Sequence, residues 1–138
     1  MKNILIITSL ILLGAAATKG QNYMGLNQSQ ILKRFGTPDS SGTNFIIYVD
    51  SQEDGTNTYY FDNKNTCEAF VITRTSIYYS DYQRQLDKNF TKTVENKYIH
   101  KSRKLNLKAE LAKRSGEFQI RITYADSNIP NAQNIVEN

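Results

Sequence analysis

The chain has 138 residues, with 17 basic against 13 acidic side chains, 39% hydrophobic content and one cysteine. That size and balance exclude a large multidomain enzyme, a disordered polyelectrolyte and a collagen-like chain. The single Cys67 excludes an intramolecular disulfide.

The first 20 residues have the three parts of a secretory leader. Lys2 supplies the charged start, and Ile4 to Leu13 form an apolar run broken only by Thr8 and Ser9. The small residues Gly14 to Ala17 follow, which places the cut after Ala17 or Gly20. A bilayer span needs about 20 apolar residues, so this run is too short to be one. No later run matches it, so no transmembrane span is expected in the remainder. No cysteine lies at the cleavage region, which argues against lipidation. The reading is therefore an exported protein, periplasmic or extracellular: leader 1–20, one α+β domain over 21–125, and a polar tail over 126–138. Lys2 and Lys19 leave with the leader, so the remainder carries 15 bases against 13 acids. The richness in Asn, Lys, Ile and Tyr suggests an AT-rich bacterial genome.

In the remainder, a first helix is predicted over 28–35. Asn27 caps it, Gln30 completes a capping box, and Leu26 with Ile31 forms a hydrophobic staple. Ile31, Leu32 and Phe35 make its buried stripe; Gly36 and Pro38 end it. Three strands follow over 45–50, 56–62 and 67–73, joined by turn chemistry at Glu53-Asp54-Gly55 and Asp62-Asn63-Lys64-Asn65. Alternation in the third strand predicts that Cys67, Ala69 and Val71 face inward or half-inward. A second helix is predicted over 81–89, with Ser80 as its cap and Tyr82, Leu86 and Phe90 on one face. A weaker strand covers 97–101. Strict alternation then marks a hairpin: Leu105, Leu107, Ala109 and Leu111 on one side of Lys113-Arg114-Ser115-Gly116, and Phe118, Ile120, Ile122 and Tyr124 on the other.

This order predicts an α+β fold: an antiparallel meander sheet with two short helices packed on one face, in the order helix, strands, helix, strands. Residues 24–74 and 79–125 share that plan. The run from Leu26 to Pro38, with its Phe35-Gly36-Thr37-Pro38 turn, leads into strands carrying Tyr48 and Tyr59-Tyr60-Phe61-Asp62. This pattern resembles small exported domains of the β-lactamase inhibitor protein type and the small outer-membrane assembly lipoproteins. It spans some 40 residues. The resemblance implies function by protein–protein contact. The chain lacks the lipidated cysteine of the lipoproteins.

Catalytic sets are sparse. His100 is the one histidine, so any Ser-His-Asp or Cys-His arrangement must use it. A small secreted hydrolase using a Cys67–His100 pair, or the carboxylates Asp50, Glu53, Asp54, Asp62 and Glu68, is the alternative reading. One Cys and one His cannot build a zinc site. Asp50, Gln52, Asp54 and Gly55 imitate the start of a calcium loop, but Phe61 stands where the bidentate Glu is required. No metal or cofactor is expected.

Charge is segregated along the chain. Residues 39–68 hold six acids and one base; residues 84–114 hold ten bases and three acids. Arg84, Lys88 and Lys92 recur at helical spacing and stripe one face, and Lys101, Arg103, Lys104 and Lys108 extend the basic run onto strands. Nucleic acid is a poor partner for an exported protein. The expected function is a non-catalytic binding module that holds a protein or an anionic envelope component.

Overall fold

The computed structural model describes residues 23–101 and 106–125, with the backbone alone at Lys101. The leader over 1–20, Arg103, Lys104 and the tail over 126–138 lie outside the described residues. The described chain is α+β and dominated by strands. It runs α1 (Gln28–Phe35), β1 (Ser40–Ser41), β2 (Phe45–Asp50), β3 (Gly55–Phe61), β4 (Cys67–Thr75), a 3-10 turn (Ser76–Tyr78), α2 (Tyr79–Asn89), β5 (Thr91–Val94), β6 (Lys97–Lys101), β7 (Asn106–Arg114) and β8 (Glu117–Tyr124).

The eight strands form one sheet in the order β1-β2-β3-β4-β8-β7-β6-β5, and every neighbouring pair is antiparallel. Each half is a meander, and the two meet where β4 pairs with β8. Local chemistry sets the turns. Asp50 Oδ1 accepts from the Gln52 and Glu53 amides between β2 and β3. Asp62 Oδ1 accepts from the Lys64 and Thr66 amides between β3 and β4. These are side chain–backbone turns, which compete with sheet pairing and so reverse the chain.

The capping box of α1 is complete: Asn27 Oδ1 accepts from the Gln30 amide and Gln30 Oε1 from the Asn27 amide, both at 2.9 Å. Ile31 is fully buried. In α2, Tyr82, Leu86 and the following Phe90 are buried as the spacing requires. That helix starts at Tyr79 without a side-chain cap, because the 3-10 turn already delivers the chain into helical geometry.

Both helices cover the same sheet face. Phe35 of α1 stacks on Tyr59, with ring centroids 5.7 Å apart, and Tyr82 of α2 lies 5.5 Å from Phe118. The strand register places Tyr59, Phe70, Ile122, Ala109 and Tyr98 in one row across this face, with Ile72, Ile120 and Leu111 in the next. These residues form the core, and each fully buried large side chain contributes on the order of 2 kcal/mol of hydrophobic stabilisation.

Three features depart from the sequence reading. Strands β1 and β5 carry no apolar alternation and exist because β2 and β6 offer them partners. Residues 23–26 belong to the core region: Tyr23 and Met24 are buried, Leu26 packs against the core, and Gly25 and Leu26 exchange backbone hydrogen bonds with Cys67. The inward face of β4 is Phe70, Ile72 and Arg74, while Ala69 and Val71 lie on the opposite face. Cys67 does join the core, because the register shifts between Tyr60↔Ala69 and Phe61↔Cys67. A bulge inserts one residue and reverses the alternation, which a period-two pattern cannot reveal.

Candidate functional site

Sheet order turns the charge segregation of the sequence into a separation in space. The acidic residues 39–68 build β1 to β3 and enter β4 at one edge. The basic residues 84–114 build α2 and β5 to β7 at the other. Arg84 and Lys88 are exposed on α2, and Lys92 is exposed on the edge strand β5. Arg84 approaches Asp81 at 3.5 Å and Lys108 approaches Glu110 at 3.8 Å. Both pairs are solvent-exposed, so each is worth little.

The strand register divides the predicted stripe. Lys92 pairs with Tyr98, which places it on the helix-covered side at the edge. Lys108 pairs with Thr123 and Ile99, in the rows of the opposite face, and Lys101 pairs with Asn106. The stripe is therefore one cationic edge presented on two faces, not a single continuous line.

The other strongly charged feature is internal. The Arg74 side chain is 4% exposed and ion-paired to Glu53 at 2.8 Å and Asp50 at 3.1 Å. Its Nη1 donates to the Thr56 and Thr73 carbonyls, and its Nη2 donates also to Asn57 Oδ1. Tyr82 donates its hydroxyl to Glu53, and the Arg74 guanidinium lies 5.7 Å from the Tyr82 ring centroid. All five guanidinium donors are thus engaged. Burial alone would lower the Arg74 pKa, but Tyr82, Glu53 and Asp50 outweigh it and hold the guanidinium above its ordinary value. The same burial raises the Tyr82 pKa. Gly55 makes room for this cluster: a Cβ there would fall 2.0 Å from the Thr73 carbonyl oxygen. The cluster ties the β2–β3 turn to β4 and α2 and leaves no donor for a ligand. Sequence reading missed it, since Arg74 stands singly outside the basic run.

Cys67 is fully buried, and desolvation pushes its thiol up to about 12. It lies on β4 and His100 on β6, with β8 and β7 between them. Three strand spacings separate those strands, roughly 14 Å. The structure does not bring the pair together. Asp50, Glu53 and Asp62 are engaged in the turns and the Arg74 cluster. Among the described residues, no three His, Cys, Asp or Glu side chains are grouped to hold a metal ion. A cavity of about 390 Å³ sits beside the end of α2, lined by Asn89, Thr91, Thr93, Ile99 and His100. Among the described residues, no helix is long and apolar enough to cross a membrane.

The sheet face opposite the helices is the remaining broad surface. One row runs Phe45, Tyr60, Ala69, Thr123, Lys108, Ile99, and the next runs Ile47, Thr58, Val71, Arg121, Glu110, Lys97. Among the described residues, no helix lies over this face. The Arg121 guanidinium stands 5.8 Å from the Tyr60 ring centroid, and the Phe45 and Tyr60 rings are 6.4 Å apart.

No family profile matches the chain, and no curated protein matches it by sequence. In structure it is similar to a DUF4309-family protein (YjgB) from Bacillus subtilis, at 12% identity and a TM-score of 0.49, over 83% of this chain and 97% of that one.

Proposed function

We propose that the protein is an exported, non-catalytic binding module whose cationic edge holds a protein or anionic envelope partner. The observation that carries this reading is the spatial charge separation. The sheet order gathers the basic segment at one edge and the acidic segment at the other, although the two halves meet at the centre of the sheet. Arg84, Lys88, Lys92 and Lys108 form the described part of that edge, and like-signed clustering of this kind raises the local concentration of anionic partners. The paired arrangement of a helix and a meander in each half presents the edge on a rigid frame.

The alternative, a small secreted hydrolase using carboxylates or a Cys67–His100 pair, draws no support from the geometry: the thiol is buried, the imidazole lies strands away, and Asp50, Glu53 and Asp62 are engaged in the turns and the Arg74 cluster. Thiol labelling under native conditions tests it directly: a catalytic cysteine is alkylated at once, whereas a core cysteine reacts only after unfolding.

The binding reading is tested by crosslinking the protein to its own envelope fraction at low and high salt, beside a Lys88→Glu/Lys92→Glu variant. A saturable partner that fades with salt and with charge reversal is expected. Capture that is equal in the variant and indifferent to salt would remove the electrostatic basis of the proposal.

A further inference from the structure

The cavity at the basic edge is lined by side chains without a fixed charge. It measures about 390 Å³, and its described lining is Asn89, Thr91, Thr93, Ile99 and His100. That volume lies at the small end of the roughly 300–1,000 Å³ usual for small-molecule sites, room for one ring and not for a folded chain. Three elements supply the lining: Asn89 ends α2, Thr91 and Thr93 belong to β5, and Ile99 and His100 belong to β6. The register sets Thr91 directly across from Ile99. The ladder then slips between Lys92 and Val94, so Thr93 is the extra residue of a bulge. Bulges at a sheet edge re-aim side chains and recur beside binding sites. The His100 ring lies 5.5 Å from the ring of the buried Phe90, which braces it at the same place.

The hydrogen-bonding inventory decides what fits. Thr93 donates its hydroxyl hydrogen to the Lys97 carbonyl at 3.3 Å, so towards a ligand it can only accept. Asn89 spends one amide hydrogen on the Gln85 carbonyl at 2.9 Å and keeps the other hydrogen and its oxygen. Thr91 brings a hydroxyl that both donates and accepts, and His100 brings two ring nitrogens. A carboxylate or phosphate only accepts, so it would leave the Thr93 and Asn89 oxygens without donors. A ligand hydroxyl both donates and accepts and so matches every group. Ile99 and the two threonine methyls supply an apolar wall among these groups. Sugar rings carry both kinds of surface, hydroxyls at the rim and C–H bonds on the faces.

We propose that this cavity binds one uncharged sugar ring of a glycan. The proposal rests on the binding-module reading and names the partner's class: a glycan seated in the cavity by a single ring, with the exposed Lys88 and Lys92 flanking the lining residues in the chain.

The test applies the full chain to an array of immobilised neutral hexose and N-acetylhexosamine oligosaccharides, beside uronic-acid oligosaccharides. The variants are Thr91→Val/Thr93→Val, which keeps side-chain shape and strand propensity while removing both hydroxyls, and Lys88→Glu/Lys92→Glu. Far-UV dichroism checks that each remains folded. At least one neutral oligosaccharide should bind, and the free monosaccharide of its terminal ring should compete. The threonine variant should bind it about tenfold or more weakly. The lysine variant and added salt should leave that neutral binding nearly unchanged. Neutral binding that persists at wild-type strength in the threonine variant would overturn the assignment of the cavity. Binding confined to the uronic-acid oligosaccharides and lost in the lysine variant would overturn the uncharged ring and leave the cationic-edge reading standing. Binding to no oligosaccharide would overturn this inference alone, since crosslinking to the envelope fraction tests the cationic edge without assuming a sugar.

Discussion

Replacing Arg74 by alanine should be among the most damaging single changes in the domain. The side chain is 4% exposed, and its loss leaves the Glu53 carboxylate, 12% exposed at its side chain, without its cation. The Asp50 carboxylate loses a charged partner, and the Thr56 and Thr73 carbonyls lose donors. Breaking a buried pair by removing one member costs about 3–5 kcal/mol, since an uncompensated charge stays behind. A domain of this size loses roughly 4–8 °C in Tm for each kcal/mol. The expected loss is therefore about 12–40 °C, the product of those two ranges. Urea unfolding followed by circular dichroism gives the free energy, and a thermal melt checks it. Arg74→Lys should fall between, because an ammonium keeps the charge but cannot span Glu53, Asp50, Asn57 and two carbonyls at once. A loss under about 1 kcal/mol for Arg74→Ala would mean that the cluster is solvated in solution and that the turn is not tied to α2 through it.

Three further outcomes are expected. Asn27→Ala should cost about 1 kcal/mol in urea unfolding, since it removes one half of a complete capping box on a helix of only eight residues. Gly55→Ala should cost about 1–3 kcal/mol or more, because the added Cβ meets a backbone carbonyl that cannot move without displacing β4. Stability should fall as pH rises above about 9. The unfolded Cys67 thiol ionises near its ordinary value while the folded one holds its proton to about 12, so the unfolded state binds fewer protons in that window and gains on the folded state. One such group accounts for a slope of at most about 1.4 kcal/mol per pH unit. Cys67→Val should flatten the decline between about pH 9 and 10, before the buried Tyr59, Tyr82 and Tyr124, whose values are also raised by burial, add theirs. An identical slope in the variant would mean that Cys67 is not the group responsible.

By itself the sequence determined the locally encoded parts. Asn27 and Gln30 specify a helix start through bonds three residues apart, and Tyr82, Leu86 and Phe90 specify a buried helix face through spacing alone. Strict alternation in β7 and β8 specifies which side of the hairpin is dry. Charge segregation is also a property of the sequence, read by counting. The tertiary structure decided whatever depends on partners distant in the chain. Strands β1 and β5 exist through pairing, not propensity. The bulge beside Phe61 returns Cys67 to the core while Ala69 and Val71 face outward, since one inserted residue reverses a period-two pattern. Arg74 is an unremarkable lone cation in the sequence. Its buried pairing with Glu53 and Asp50 arises because β3 and β4 fold the β2–β3 turn back onto it beneath α2. The helix-free face follows the same logic: Phe45, Tyr60, Val71 and Arg121 come from four strands, and only the register β2-β3-β4-β8 makes them neighbours. Short-range hydrogen bonding and periodicity act within one element, whereas a site is assembled across elements by pairing energies that no single segment carries.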